Sequence, residues 1–153
     1  RVNWSELAEG MPVRFHGDLQ FDNILQTTDN KFKLIDWRQD FAGLIDYGDL
    51  HYDLAKLLGG ILIPYKNIKS GEFSFEFSNC NSNYSFLAID DYHYVKDTFY
   101  QHLDTMGIDK FRVCKITSLI FLNMAPLHEY PFSNLLYAIG RKSLASALDG
   151  QTL

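Results

Sequence analysis

At 153 residues, 46% hydrophobic and 22% charged, the chain has the size and composition of about one globular domain, without the low hydrophobicity and high net charge that mark disorder. A net charge of −5 with scattered Lys and Arg excludes the basic footprint that nucleic acid or an anionic membrane surface requires. Two cysteines, Cys80 and Cys114, are too few and too far apart for a disulfide framework or a zinc site and point to a reducing, cytoplasmic setting, and no apolar run reaches the roughly 18 residues of a bilayer span.

In chain order, Trp4, Leu7 and Ala8 stand at helical spacing before Gly10-Met11-Pro12 and predict the last turns of a helix with a glycine stop. Residues 13–15 predict a short strand entering the loop that begins at His16. Residues 24–26 and 32–35 flank the turn-forming Thr28-Asp29-Asn30-Lys31 and predict a hairpin that brings Asn23 and Asp36 to one end. Residues 38–47 read as an ordered loop, after which Asp49 caps a helix over residues 50–58 that Gly59-Gly60 interrupt; Pro64 marks a further boundary. Strict alternation over residues 72–77, answered by residues 84–89, predicts a second hairpin across a polar loop at 78–83 that holds Cys80. Asp90 and Asp91 cap a predicted helix to about residue 106, with Tyr92, Val95, Phe99 and Leu103 as its apolar stripe. Residues 110–124, the most apolar stretch, predict a central helix, and Ser133 caps a last helix that ends before Gly150.

The chemistry concentrates in His16-Gly17-Asp18, Asn23 and Ile35-Asp36-Trp37. An Asp, an Asn five residues later and a second Asp thirteen residues beyond match the needs of magnesium-dependent phosphoryl transfer. Asp36 offers hard carboxylate oxygens for magnesium, and Asn23 adds a neutral carbonyl oxygen without further negative charge beside ATP. Asp18 is then left to orient an acceptor hydroxyl and take its proton.

These three motifs, with Gly48-Asp49 and Tyr52-Asp53-Leu54-Ala55 following in order over residues 13–58, resemble the aminoglycoside phosphotransferase and choline kinase family of small-molecule kinases. The resemblance implies an α+β, mainly α fold: a protein-kinase-like C-terminal lobe with short β-hairpins around the catalytic loop, covering residues 1–153 as a single domain. It implies Asp18 as the catalytic base or acceptor-orienting carboxylate, Asn23 and Asp36 as magnesium ligands, His16 as a brace of the loop, and Asp53 as an acid behind the loop accepting hydrogen bonds from its backbone near His16. Gln20 and Asp22 stand where the family often has His or Asn and Gly.

The implied reaction takes ATP and magnesium and phosphorylates a hydroxyl of a small molecule such as a sugar, an amino alcohol or an aminoglycoside; a catalytically silent relative with the same fold is the alternative. The family carries its adenine clasp and its phosphate-holding lysine in an N-terminal lobe, which is expected upstream of Arg1 in the parent protein, so these residues alone are expected to be inactive. Gln20, Trp37 and Arg38 are candidate acceptor contacts. Trp37 as core packing, and Arg38 paired with Asp40 or Asp46, are equally open. His128, Glu129 and Tyr130 sit in a loop that could touch the acceptor or be an ordinary polar loop. His51, His93 and His102 read as surface or packing residues, and the acids Asp40, Asp46 and Asp49 would suit a cationic acceptor.

Overall fold

Two carboxylates start the helices on which the rest is built. Asp49 accepts from the His51 N–H at 3.1 Å and begins helix α2, Leu50–Leu62; Asp109 accepts from the Phe111 and Arg112 N–H groups at 2.9 and 3.2 Å and begins helix α5, Lys110–Met124. In the computed structural model, which describes residues 1–78, 81–86 and 92–153, the remaining helices are α1, Trp4–Ala8, α3, Tyr65–Ser70, α4, Tyr92–Thr105, and α6, Phe132–Leu148. Short 3-10 turns at Phe21–Asn23 and Ala125–Leu127 and three separate two-stranded antiparallel sheets complete the described elements. Strand β1, Pro12–Val13, pairs with β4, Gly48–Asp49; β2, Ile24–Gln26, pairs with β3, Phe32–Leu34; and β5, Phe73–Ser78, pairs with β6, Asn81–Phe86. The chain is thus mainly helical with small sheets.

Helix α5 packs along both α2 and α6. One apolar cluster joins Ala55 and Leu58 of α2 to Leu103 of α4 and Val113 of α5; a second joins Phe121 of α5 to Leu135, Leu136 and Ile139 of α6. Phe73, Phe75 and Phe86 press one face of the β5–β6 hairpin onto the second cluster, so its aromatic alternation is a packing signal. Thr117 donates through Oγ1 to the Ala55 carbonyl at 3.1 Å, a buried polar tie between α5 and α2.

Several expectations are corrected. Gly59 and Gly60 do not interrupt α2, which runs on to Leu62. A Cβ at Gly59 would lie 3.3 Å from Phe121 and one at Gly60 3.1 Å from Phe21, so the helix interior is bare where two aromatic rings come close. Contact outweighs the roughly 1 kcal/mol that each glycine costs a helix. The helix α3 after Pro64 had no apolar periodicity to announce it. β1 covers residues 12–13, since its partner β4 is only two residues long, and Phe15 is buried beyond the sheet. β3 ends at Leu34, and β6 begins at Asn81 because Ser78 already pairs with Asn81. Ser133 lies inside α6, which starts at Phe132 after Pro131, and its hydroxyl contacts Asn134 instead of capping. In α4, Tyr100 is buried while Val95 is 41% exposed. Cys80, residues 87–89 and the caps Asp90 and Asp91 lie outside the described residues.

Phe121 is 1% exposed and seats the bare stretch of α2. Replacing it with Ala should cost about 3–5 kcal/mol of unfolding free energy, read as a lower urea midpoint at unchanged slope. A loss below about 1 kcal/mol would show that the α2–α5 contact is not what holds these helices together.

Candidate active site

The loop after β1 is shaped by a carboxylate from another element. Asp53, buried in the first turn of α2, accepts from the His16 N–H through Oδ2 and from the Gly17 N–H through Oδ1, each at 2.7 Å. Charge-assisted bonds of this length are about twice as strong as neutral ones. The His16 carbonyl in turn accepts from the Arg38 N–H at 2.9 Å, and the Asn23 carbonyl accepts from the Ile35 N–H at 3.0 Å. Asp36 therefore sits between two backbone ties that bind the end of β3 to the loop. Gly17 has φ of +81°, and a Cβ there would lie 2.6 Å from Cβ and Cγ of Arg38, so the arginine stem crosses the loop where only glycine fits.

Within this frame Asp18 is buried and faces two cations. Lys56 Nζ lies 2.7 Å from Oδ1 and Arg38 Nη2 lies 3.5 Å from Oδ2. The Lys56 contact is an ion pair by distance without the angle of a hydrogen bond. Asn23, also buried, donates through Nδ2 to the Asp18 carbonyl at 2.9 Å, which turns its Oδ1 away from that bond. His16 accepts through Nδ1 from the Asp18 N–H at 3.2 Å; that bond assigns the ring proton to Nε2, which is buried without a partner among the described residues. Trp37 tilts over the His16 ring at 4.8 Å between centroids, is 50% exposed, and donates its indole N–H to the Leu34 carbonyl at 3.3 Å, so it covers the loop and is not core.

Asp36 is exposed and adopts φ of +58°, a left-handed conformation that costs a residue with a Cβ roughly 1–2 kcal/mol and is tolerated best by Asn and Asp. Its carboxylate has no protein partner among the described residues. The donor set fits a hard divalent cation: a free carboxylate on Asp36, and an Asn23 carbonyl oxygen left over once Nδ2 is engaged.

A cleft of about 600 Å³ opens beside Asp18. Gln20, Arg38, Tyr52, Lys56 and Tyr65 line it, with the apolar face of α5 and the residue His128 opposite; Trp37, Glu129 and Tyr130 do not line it. Burial pushes the Tyr65 phenol up to about 12, with the Asp18 and Asp22 charges adding to the rise, and Tyr52 moves up mainly through burial. Arg38 pairs with Asp18 and with neither Asp40 nor Asp46. Asp40 accepts from the Gly43 N–H at 2.9 Å, and Asp49 is occupied by the α2 cap, by the Met11 N–H and by His51, whose Nδ1 lies 3.0 Å from it. His51 is consequently buried and paired. Lys56 and Tyr65 went unrecognised in the sequence; the one available signal was the spacing of Asp53 and Lys56, three residues apart on one helix face.

Two outcomes follow. Asp53→Asn turns an N–H donor toward one of the two loop amides and should cost about 1–3 kcal/mol; hydrogen exchange at the Gly17 amide should accelerate with it, and unchanged exchange would refute the clamp. Tyr65 has a raised folded-state pKa, so its contribution to stability is complete below about pH 10 and declines as pH rises through about 12. Alkaline denaturation should therefore be shallower over that window in Tyr65→Phe than in the parent, and coincident curves would contradict the burial of the phenol.

No curated protein and no solved structure matches the chain. Residues 2–68, which hold the loop, the β2–β3 hairpin and the helix that clamps them, match the phosphotransferase enzyme family, consistent with the aminoglycoside phosphotransferases.

Proposed function

We propose that this protein transfers the γ-phosphoryl group of ATP to a hydroxyl of a small molecule, in the cytoplasm, with residues 1–153 as the catalytic, C-terminal lobe of a protein-kinase-like fold. The observation that carries the proposal is that Asn23 Nδ2 bonds the Asp18 carbonyl while the backbone on both sides of Asp36 is tied to Asn23 and His16, which joins the three residues to one loop within the stretch that matches a phosphotransferase family. Of the three, Asp18 lines the cleft. Asn23 and Asp36 would hold magnesium, which when bound neutralises charge on the phosphate oxygens. The family resemblance assigns the grip on adenine and on the α- and β-phosphates to an N-terminal lobe.

Asp18 orients the acceptor hydroxyl toward phosphorus. The acceptor oxygen forms its bond to the γ-phosphorus as the bond to the β,γ-bridging oxygen breaks; the hydroxyl proton passes to Asp18, and ADP leaves with the electron pair. Lys56 and Arg38 keep the buried carboxylate fixed in the direction from which the acceptor approaches.

In the full-length protein, Asp18→Asn should reduce kcat about 10²–10⁴-fold while nucleotide binding persists. Asp36→Ala should abolish magnesium-dependent nucleotide binding, measured by calorimetry with and without the metal. Magnesium-dependent ATP binding with no turnover on any hydroxyl compound would instead identify a silent relative, and binding indifferent to Asp36→Ala would overturn the metal assignment.

A further inference from the structure

The cleft beside Asp18 has an unexpected charge balance for a site open to amino alcohols and aminoglycosides. Its one carboxylate among the described lining residues is Asp18, and two cations, Lys56 and Arg38, already face it. A cationic acceptor needs an acid free to receive it. The acids expected to serve are spent elsewhere: Asp40 holds the Gly43 amide and Asp49 holds the start of α2 and the Met11 amide, and neither Asp40, Asp46 nor Asp49 lines the cleft. An ammonium group entering here would meet like charge.

The two cations are not equivalent. Lys56 has a side chain only 13% exposed, lies 2.7 Å from Asp18, and spends its charge on that carboxylate. Arg38 has a side chain 62% exposed and reaches Asp18 with one nitrogen at 3.5 Å, the limit of a hydrogen bond. The rest of its planar fork of donors is open to the cleft, in the geometry that takes a carboxylate or phosphate by two parallel hydrogen bonds. Its position is built in, since the stem crosses Gly17 where no Cβ could stand and its own amide is tied to the His16 carbonyl. Gln20, Tyr52 and Tyr65 supply neutral hydrogen-bonding groups around it, suited to hydroxyls.

We infer that the acceptor is a hydroxyl compound bearing an anionic group, a carboxylate or a phosphate, which Arg38 receives beside Asp18. This rests on the phosphotransferase reading above, and the test separates the two. The full-length protein is assayed with ATP and magnesium on matched acceptors: glucuronate and glucose 6-phosphate against glucose and glucosamine, and glycerol 3-phosphate against glycerol and choline. Acceptor binding is followed in parallel, without nucleotide, by saturation-transfer NMR.

At least one anionic member should exceed its neutral counterpart in kcat/KM by about 10- to 100-fold, the range expected for one charge-assisted pair, with the amines lowest. The carboxylate and phosphate arms tell which anion is meant. Arg38→Gln should erase the preference by raising KM for the anion, and Arg38→Lys should restore part of it. Preference for glucosamine or choline, preference for an anion that survives Arg38→Gln, or failure of every anionic probe to bind would each overturn the inference. Anion binding that depends on Arg38 without phosphorylation of any acceptor would uphold the anion site and defeat the kinase reading instead.

Discussion

The site depends on one carboxylate placed under one loop. Asp53 takes the N–H groups of His16 and Gly17 at 2.7 Å each, in a buried position where neither donor has water to turn to. Without an acceptor there, the loop would carry two unsatisfied amides in the interior, a cost of several kcal/mol that a domain stable by about 5–15 kcal/mol could hardly absorb. The direction in which the Asp18 side chain leaves the loop is thus set by a residue more than thirty positions later in the chain.

Helix α2 carries three such functions in succession. Asp49 caps it and holds Met11, which fixes the approach of β1; Asp53 clamps the loop one turn on; Lys56, another turn on, meets Asp18. Burying an aspartate is unfavourable unless its charge is answered, and Lys56 answers it from a rigid element whose own position is fixed by α5. The carboxylate is therefore held from within the wall of the cleft, by Lys56 of α2 and by Arg38, with α5 forming another part of that wall.

Local chemistry made much of the scaffold legible. The turn residues at 28–31 identify the β2–β3 hairpin, alternation identifies β5, and the apolar run from residue 110 identifies α5 with its observed ends, because in each case neighbouring residues in sequence decide the backbone. Where reading failed, the deciding contact was distant. Gly59 and Gly60 look like a helix stop until Phe121 and Phe21 are seen against them. Arg38 looks like a partner for the nearby acids Asp40 and Asp46, but the backbone ties of residues 35 and 38 swing it over Gly17 toward Asp18. The α3 helix is short and lacks an apolar stripe, so nothing local distinguishes it from a loop.

By itself, the sequence determined the order of the residues on which the proposed phosphoryl transfer rests: Asp18, Asn23 and Asp36 in and beside a loop and hairpin, with Asp53 on the helix that follows. It could do so because hard oxygen donors and turn-forming residues are informative at short range. The tertiary structure alone decided the electrostatic character of the cleft. Charge in a pocket is the sum over side chains from elements distant in the chain, and only their packing shows that Lys56 and Arg38 face Asp18 while Asp40 and Asp49 are engaged elsewhere.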